Sequence, residues 1–363
     1  MKKIPELSFD GFKRQFTVCS RVLGVAWRVR KTAVLLFFIG AALEIGGFIL
    51  ALYATAALGG LLAAFITTGN TDMIWFWLAV DIIGGLVIAM AFVLMGYAKR
   101  LLYFGVARWA TNTYLQMLCT IDLPEFYDED RRNELNKIGN NYIWQLPSLA
   151  DTTLDLLYGI LRFLAITFIV AQINWWIVPL IALFLVPTLL AESKMARLSW
   201  FVWDEKGDER YIFWGLDWIL RRAQGQMELR STQASKYVLK KIDAMNSTFY
   251  SEQEKQFRLA HRSLLPTKIL ESTGTAIGAI VVLRQFLSNT ISLERYFFLS
   301  GALLRIGSAL NNIFGTLSRM QETVQFTDGF FNLIDIKPIN VNVENAVTLD
   351  KKTTPEIVFE NVS

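Results

Sequence analysis

Six apolar runs, at residues 34–66, 74–98, 154–173, 175–191, 269–286 and 296–317, punctuate this chain, and charged stretches fill 99–151 and 192–268. A bilayer-crossing helix needs about 20 apolar residues, because the hydrocarbon is about 30 Å thick and each residue rises about 1.5 Å. Five runs meet or nearly meet that length. Run 175–191 is the short one, and Glu192 and Lys194 can snorkel to the interface. Run 34–66 is too long for one perpendicular span, so it tilts or its Gly59-Gly60 end projects outside. About thirty residues precede it, and it exceeds a signal core of roughly 7–15 residues, so it reads as a retained span. Of the 363 residues, 53% are hydrophobic and 19% charged, the charges gathered in blocks, which is a membrane-protein composition.

Lysine and arginine set the orientation. The N-terminus carries Lys2, Lys3, Lys13, Arg14, Arg21, Arg28, Arg30 and Lys31, and residues 99–137 and 194–268 are rich in lysine and arginine, whereas the short connections 67–73 and 172–176 contain neither residue. The positive-inside rule then puts both termini and both charged stretches in the cytoplasm; Arg284 and Arg295, beside the third outer loop, count against it. The net charge of +4 is modest and lies between spans, so it reads as a topology signal and not as a nucleic-acid footprint. Cys19 and Cys119 then read as reduced packing thiols on the cytoplasmic side. Phe12, Phe16, Cys19, Leu23 and Ala26 follow a 4-3-4-3 spacing, with Lys13, Thr17, Arg21 and Arg28 on another face. Such a helix lies in the headgroup plane before the first span, or packs on protein.

The charged stretches read as two helical fingers. Residues 99–120 continue the second span and, if helical, reach about 33 Å beyond it. Pro124 interrupts the run, so 122–127 reads as a short crosswise helix or turn with Asp122 as a possible cap. Residues 130–143 return. In the second finger 194–220 lead down, 221–230 contain a turn near Gly225, and 231–261 lead back towards Pro266. Two levers or two independent hairpins both fit this plan.

Intramembrane charges usually face a cavity or one another. In the sixth run Gly301, Arg305, Ser308, Asn312 and Arg319 share one helical face, while Leu299, Leu303, Ile306, Leu310, Ile313 and Leu317 form another. One polar and one apolar stripe fit a helix beside an aqueous cavity. Arg305 is the leading pore-facing candidate; the alternative is an ion pair with Glu271 or Glu44. Lys268, Glu271, Thr275 and Gly278 share a face of the fifth run, and Asp151, Asp155 and Arg162 share one in the third. Asp81 and Glu44 lie in the second and first. For these isolated acids, pairing between helices and cavity lining are equally open. His261 is the only histidine, which argues against a histidine metal cluster or a Ser-His-Asp triad. No catalytic or metal-ligating residue is assigned.

These features in this order resemble the transmembrane domain of an ATP-binding cassette exporter of the six-span (type IV) class. Leu123-Pro124-Glu125-Phe126-Tyr127-Asp128 is similar to the aromatic pair and Asp of that family's first coupling helix, although Asn133 stands where the family often has glycine. Arg222-Ala223-Gln224-Gly225-Gln226-Met227-Glu228-Leu229 resembles the second coupling region. Phe330-Phe331-Asn332-Leu333-Ile334-Asp335 resembles the linker to the nucleotide-binding domain, and Pro355-Glu356-Ile357-Val358-Phe359-Glu360-Asn361-Val362-Ser363 the opening strand of that domain.

The resemblance implies an all-α membrane protein of six transmembrane helices with long cytoplasmic extensions. It divides the chain into an N-terminal elbow (1–31), a six-helix domain (32–320), a linker (321–354) and the first residues of a nucleotide-binding domain (355–363). The chain contains no G-x-x-x-x-G-K-[ST] motif, so ATP and Mg belong to the remainder of that domain beyond Ser363. The implied partners are the lipid bilayer, a second transporter chain as homodimer or heterodimer, and the nucleotide-binding domain, in a plasma (inner) membrane setting. The implied substrate path runs past Arg305, Ser308, Asn312, Glu271, Thr275, Arg162, Asp81 and Glu44, with coupling through Pro124, Glu125, Phe126, Tyr127, Asp128, Arg222, Gln224, Gly225 and Gln226. The competing readings are a secondary transporter and a non-transporting membrane scaffold.

Overall fold

The structure is a computed structural model. It describes residues 9–68, 73–128, 135, 138–139, 141–174, 176, 179, 183–184, 186–188, 190–191 and 207–336. Its helices are α1 (Phe9–Thr68), α2 (Ile74–Thr120), α3 (Leu123–Tyr127), α4 (Tyr142–Asn174), α5 (Gly207–Arg221), α6 (Ala223–Ser231), α7 (Ser235–Leu287) and α8 (Leu293–Ile334). No strand occurs among the described residues.

Four helical segments are long and apolar enough to cross a membrane: Lys13–Ile66, Ile74–Thr120, Tyr142–Ala171 and Leu293–Leu317. This is the architecture of an all-α, multi-pass membrane protein. Two of the six expected spans are not among these four. Run 269–286 lies inside α7, where Glu271 and Arg284 dilute its apolar character. Run 175–191 falls largely outside the described residues, as do much of the return segment 130–143, all of 192–206, and everything from 337 onward, including the expected opening strand at 355–363.

The bundle is built from α1, α2, α4 and α8, which pack on one another, while α7 packs mainly on α8 and α5. Small residues bring α1 and α2 together. A Cβ on Gly47 would meet the Gly84 carbonyl oxygen at 3.1 Å, and one on Gly84 would meet Ala51 at the same distance. Close backbone approach of this kind is how helices associate where lipid competes equally for apolar side chains. The outer face of α2 leaves Ile82, Leu86, Met90, Phe92 and Val93 exposed, an apolar surface that only lipid or another apolar surface would cover.

Two cores hold the bundle. One joins Phe48, Ile166, Val170 and Val282 to Leu299, Leu303, Ile306 and Leu310. The other lies towards the far end of α2, where the Tyr114, Tyr142 and Phe330 rings stack with centroids 4.5, 6.1 and 6.5 Å apart. The Tyr114 hydroxyl donates to the Leu135 carbonyl at 3.2 Å, so this polar tip is satisfied inside the core.

The N-terminal segment differs from the expected elbow. It runs into the first span as one helix, broken only at Arg30 (φ −148°, ψ 67°). Its buried positions are Val18, Val22 and Ala26, whereas Phe16 is 71% exposed. Of the expected stripe, Ala26 is buried and Cys19 and Leu23 pack partly on the core, while the large Phe16 ring stays outside it. Arg14 pairs with Asp328, and Arg21 with Asp335 at 2.5 Å, with the Arg21 guanidinium 4.2 Å from the Phe331 ring centroid. Both ion pairs advance by seven residues on each helix, so this segment runs parallel to the end of α8.

At about 1.5 Å per residue, the 47 residues of α2 span roughly 70 Å and the 53 of α7 roughly 80 Å, each far more than a bilayer requires. One limb of each expected finger, 99–120 in α2 and most of 231–261 in α7, is thus continuous with a long helix. α8 continues without interruption to Ile334, so the expected boundary at 320–321 lies within a helix.

Candidate functional site

The sequence-derived stripes of α8 separate cleanly. Leu299, Leu303, Ile306, Leu310 and Ile313 are buried, while Arg305, Ser308, Asn312 and Arg319 are exposed. α8 therefore turns its leucine and isoleucine side into the bundle and its polar side away from it. Exposed polarity on a helix at membrane depth needs water, a second protein surface or a ligand to cover it.

Behind this face lies a charged layer. Glu44 of α1 is 1% exposed, and Arg162 of α4 approaches its carboxylate at 3.4 Å. Arg162 also donates to the Tyr158 hydroxyl at 3.2 Å. Its guanidinium and that of Arg305 each lie 5.4 Å from the Phe48 ring centroid. Glu44 and Arg162 neutralise one another, whereas Arg305 contacts an aromatic ring and makes no ion pair among the described residues. The alternative reading of Arg305 as partner to Glu44 or Glu271 does not describe this arrangement. The ring quadrupole offers a cation some stabilisation but no countercharge. One oxygen of Glu44 and the Nε of Arg162 are buried without a hydrogen-bond partner, so the pair is incompletely satisfied.

The other path candidates divide into separate groups. Glu271 of α7 accepts from Lys268 at 3.0 Å and from Thr188 at 3.4 Å, and is bonded by the Asn311 amide, tying α7 to α8. Thr275 spends its hydroxyl on the Glu271 carbonyl at 3.2 Å. Asp81 accepts from Thr55 at 3.2 Å, joining α2 to α1. Asp151 and Asp155 pair with Lys99 at 3.2 and 2.7 Å, so they do not share a partner with Arg162 despite sharing its helix face. The structure thus brings Glu44, Arg162 and Arg305 together and leaves Glu271, Thr275 and Asp81 as helix-to-helix ties. Phe48, Tyr158, Asn311 and Lys99 complete these groups. The sequence offered only weak signals for them: an aromatic in an apolar run, and a lysine just past one.

The two fingertip regions are also resolved. In the first, α3 forms across Pro124, with Asp122 at the capping position but making no side-chain cap bond. Phe126 packs against the Tyr114–Phe330 core, Glu125 is half-buried, and Pro124, Tyr127 and Asp128 are exposed. In the second, the expected turn at Gly225 is displaced. The chain breaks at Arg222 and again at 232–234, where Gln233 adopts a positive φ of 56°, and Gly225 lies inside α6. Glycine is needed there because a Cβ would overlap the Ile219 carbonyl oxygen. The Arg222 guanidinium lies 3.5 Å from the Trp218 ring centroid, and the Gln226 amide donates to the Leu220 carbonyl at 2.6 Å. Gln224 is exposed. Below the membrane part, Arg21 holds the Asp335 carboxyl below its ordinary range by hydrogen bonding and charge.

No protein-family model matches this chain, and no curated protein matches it.

Proposed function

We propose that this chain is the membrane-spanning half of a dimeric, ATP-driven exporter. In this reading two copies, or this chain and a related one, bring the polar faces of their α8 helices to a central cavity. The fingers connect that cavity to ATPase domains in the cytoplasm, where both chain termini lie. ATP would bind one conformation better than the other, drawing the ATPase domains together and switching the cavity from inward-facing to outward-facing. Hydrolysis would permit reset. The six crossings comprise the four apolar helical segments, the run at 269–286 within α7 and the run at 175–191.

The observation that carries the reading is the split of α8 into a buried apolar stripe and an exposed polar stripe containing Arg305. A lone helix bundle in lipid would place that polar stripe against hydrocarbon, which is costly for a charged group. Two further features support it. α7 leaves the bundle, shares its main contacts with only α8 and α5, and exposes Tyr250, Phe257, Leu265 and Ile280. Both fingers carry a short helix, α3 or α6, at the position where an engine would push.

Thiol labelling tests the cavity. In a background with Cys19 and Cys119 changed to serine, Ser308→Cys and Asn312→Cys in native membranes should react with a charged, membrane-impermeant methanethiosulfonate, and Val93→Cys should not. Labelling of all three equally, or of none, would defeat the assignment of α8 to an aqueous cavity. The energy source is tested separately in proteoliposomes: uptake that follows ATP and ignores proton and sodium ionophores supports the exporter. The converse result would favour a secondary transporter.

A further inference from the structure

We propose that the cargo is an anionic amphiphile, its phosphate or carboxylate headgroup held by Arg305 and its tail lying along the adjoining apolar part of α8. The proposal rests on the cavity reading above and names the substrate class of that same site.

Charge accounting among the described residues leads to the headgroup. Glu44 is occupied by Arg162, and Glu271 by Lys268 and Asn311. Asp81 lies on Thr55. A further acidic pair, Asp151 and Asp155 on Lys99, sits beside Phe37 and about two turns along α4 from Arg162. Arg305 is left as a cation on an exposed face at mid-span, fixed by Phe48 but not neutralised. Asn312 has no hydrogen-bond partner among the described residues and lies two turns along the same face. Ser308 lies between them, its hydroxyl donating to the Arg305 carbonyl at 2.9 Å while its oxygen lone pairs stay open. An arginine fork with an amide and a hydroxyl beside it suits an oxyanion, and charge-assisted bonds to such a group are strong in a low-dielectric setting.

The same helix changes character along its axis. Past the exposed Glu294 and Arg295 at its start, the exposed side chains that precede Arg305 are apolar: Phe297 is 41% and Leu304 66% exposed, and Leu52 of α1 packs against Gly301 between them. Beyond Arg305 the exposed positions are Ser308, Asn312 and Arg319. A ligand lying along α8 therefore meets apolar surface for about 10 Å and then a cationic, hydrogen-bonding segment. That order matches a molecule with one chain and one charged end.

The test uses native mass spectrometry of the full chain in detergent, counting bound 1-palmitoyl lysophosphatidate against 1-palmitoyl lysophosphatidylcholine, which share a tail. The parent should prefer the phosphatidate by on the order of tenfold or more, as expected for one charge-assisted contact. Arg305→Gln should abolish that preference while binding of the zwitterion persists, and Arg305→Lys should retain much of it. Equal binding of the two lipids by the parent, or an undiminished preference in a folded Arg305→Gln, overturns the proposal. If Ser308→Cys and Asn312→Cys are labelled from water but no preference exists, the substrate class alone is wrong. If they are not labelled, the cavity reading has failed first.

Discussion

Removing one member of the Glu44–Arg162 pair should be far worse than removing both. Two unit charges 3.4 Å apart attract by about 5 kcal/mol at an effective dielectric of about 20. Burial costs each ion several kcal/mol, so the intact pair is worth little net. Its disruption is another matter. Glu44 is 1% exposed, so Glu44→Met strips Arg162 of its countercharge in a bundle where Arg305 already adds a second positive charge beside Phe48. We expect Glu44→Met and Arg162→Met each to cost about 3–5 kcal/mol, and the two together to cost no more than about 1–2 kcal/mol. The resulting coupling of about 5 kcal/mol is read from a double-mutant cycle. Unfolding would be followed by SDS titration in mixed micelles, using tryptophan fluorescence. Singles that add up to the double, with coupling below about 0.5 kcal/mol, would show that these side chains do not meet as described.

Two other expectations concern the end of the bundle where the N-terminal segment meets the end of α8. Tyr114→Phe keeps the ring stack with Tyr142 and Phe330 but deletes the bond to the Leu135 carbonyl, so the same titration should register a loss of about 0.5–1.5 kcal/mol. Tyr114→Ala should cost about 3–5 kcal/mol, and similar values for the two variants would refute the stacking argument. The Arg21–Asp335 tie has a defined pH sign. Because the folded state lowers the Asp335 pKa, the contribution is complete above the ordinary carboxylate value and disappears as pH falls through the lowered one. Hydrogen exchange in residues 13–30, compared with Asp335→Asn, should therefore differ by a constant amount between pH 5 and 8 and by less as pH falls below the ordinary carboxylate range. A difference that changes between pH 5 and 8 would exclude this carboxylate as the source. Both groups are largely exposed, so the effect should be at most about 1 kcal/mol.

Periodicity made α8 legible before any coordinates, because a helix with one side in a core and one side out of it must sort residues at a 3.6 spacing. In the N-terminal segment the spacing predicts a stripe through Phe16, Cys19, Leu23 and Ala26, in the headgroup plane or packed on protein; Ala26 is buried and Cys19 and Leu23 pack partly on the core, but Val18 and Val22 are buried too and Phe16 stays outside. The second fingertip is expected to turn near Gly225, within 221–230; the chain breaks at Arg222, inside that range, and Gly225 itself answers a steric demand inside α6.

The pairing of charges was not legible at all, and the reason is physical. Asp151, Asp155 and Arg162 share a face of α4, which their spacing reveals. Which neighbour each one meets depends on the axial register of α1 and α2 against α4. That register follows from packing across the whole bundle, including Gly47 on Gly84 between α1 and α2 and Gly159 on Ile313 between α4 and α8, contacts long-range in sequence and made by residues with no charge. Sliding α1 by one turn would move Glu44 about 5 Å along its axis and out of reach of Arg162. The glycines that fix this register thus decide which arginine is neutralised and which is left exposed. In that sense the charge on the polar face of α8 is determined as much by uncharged packing residues on other helices as by Arg305 itself.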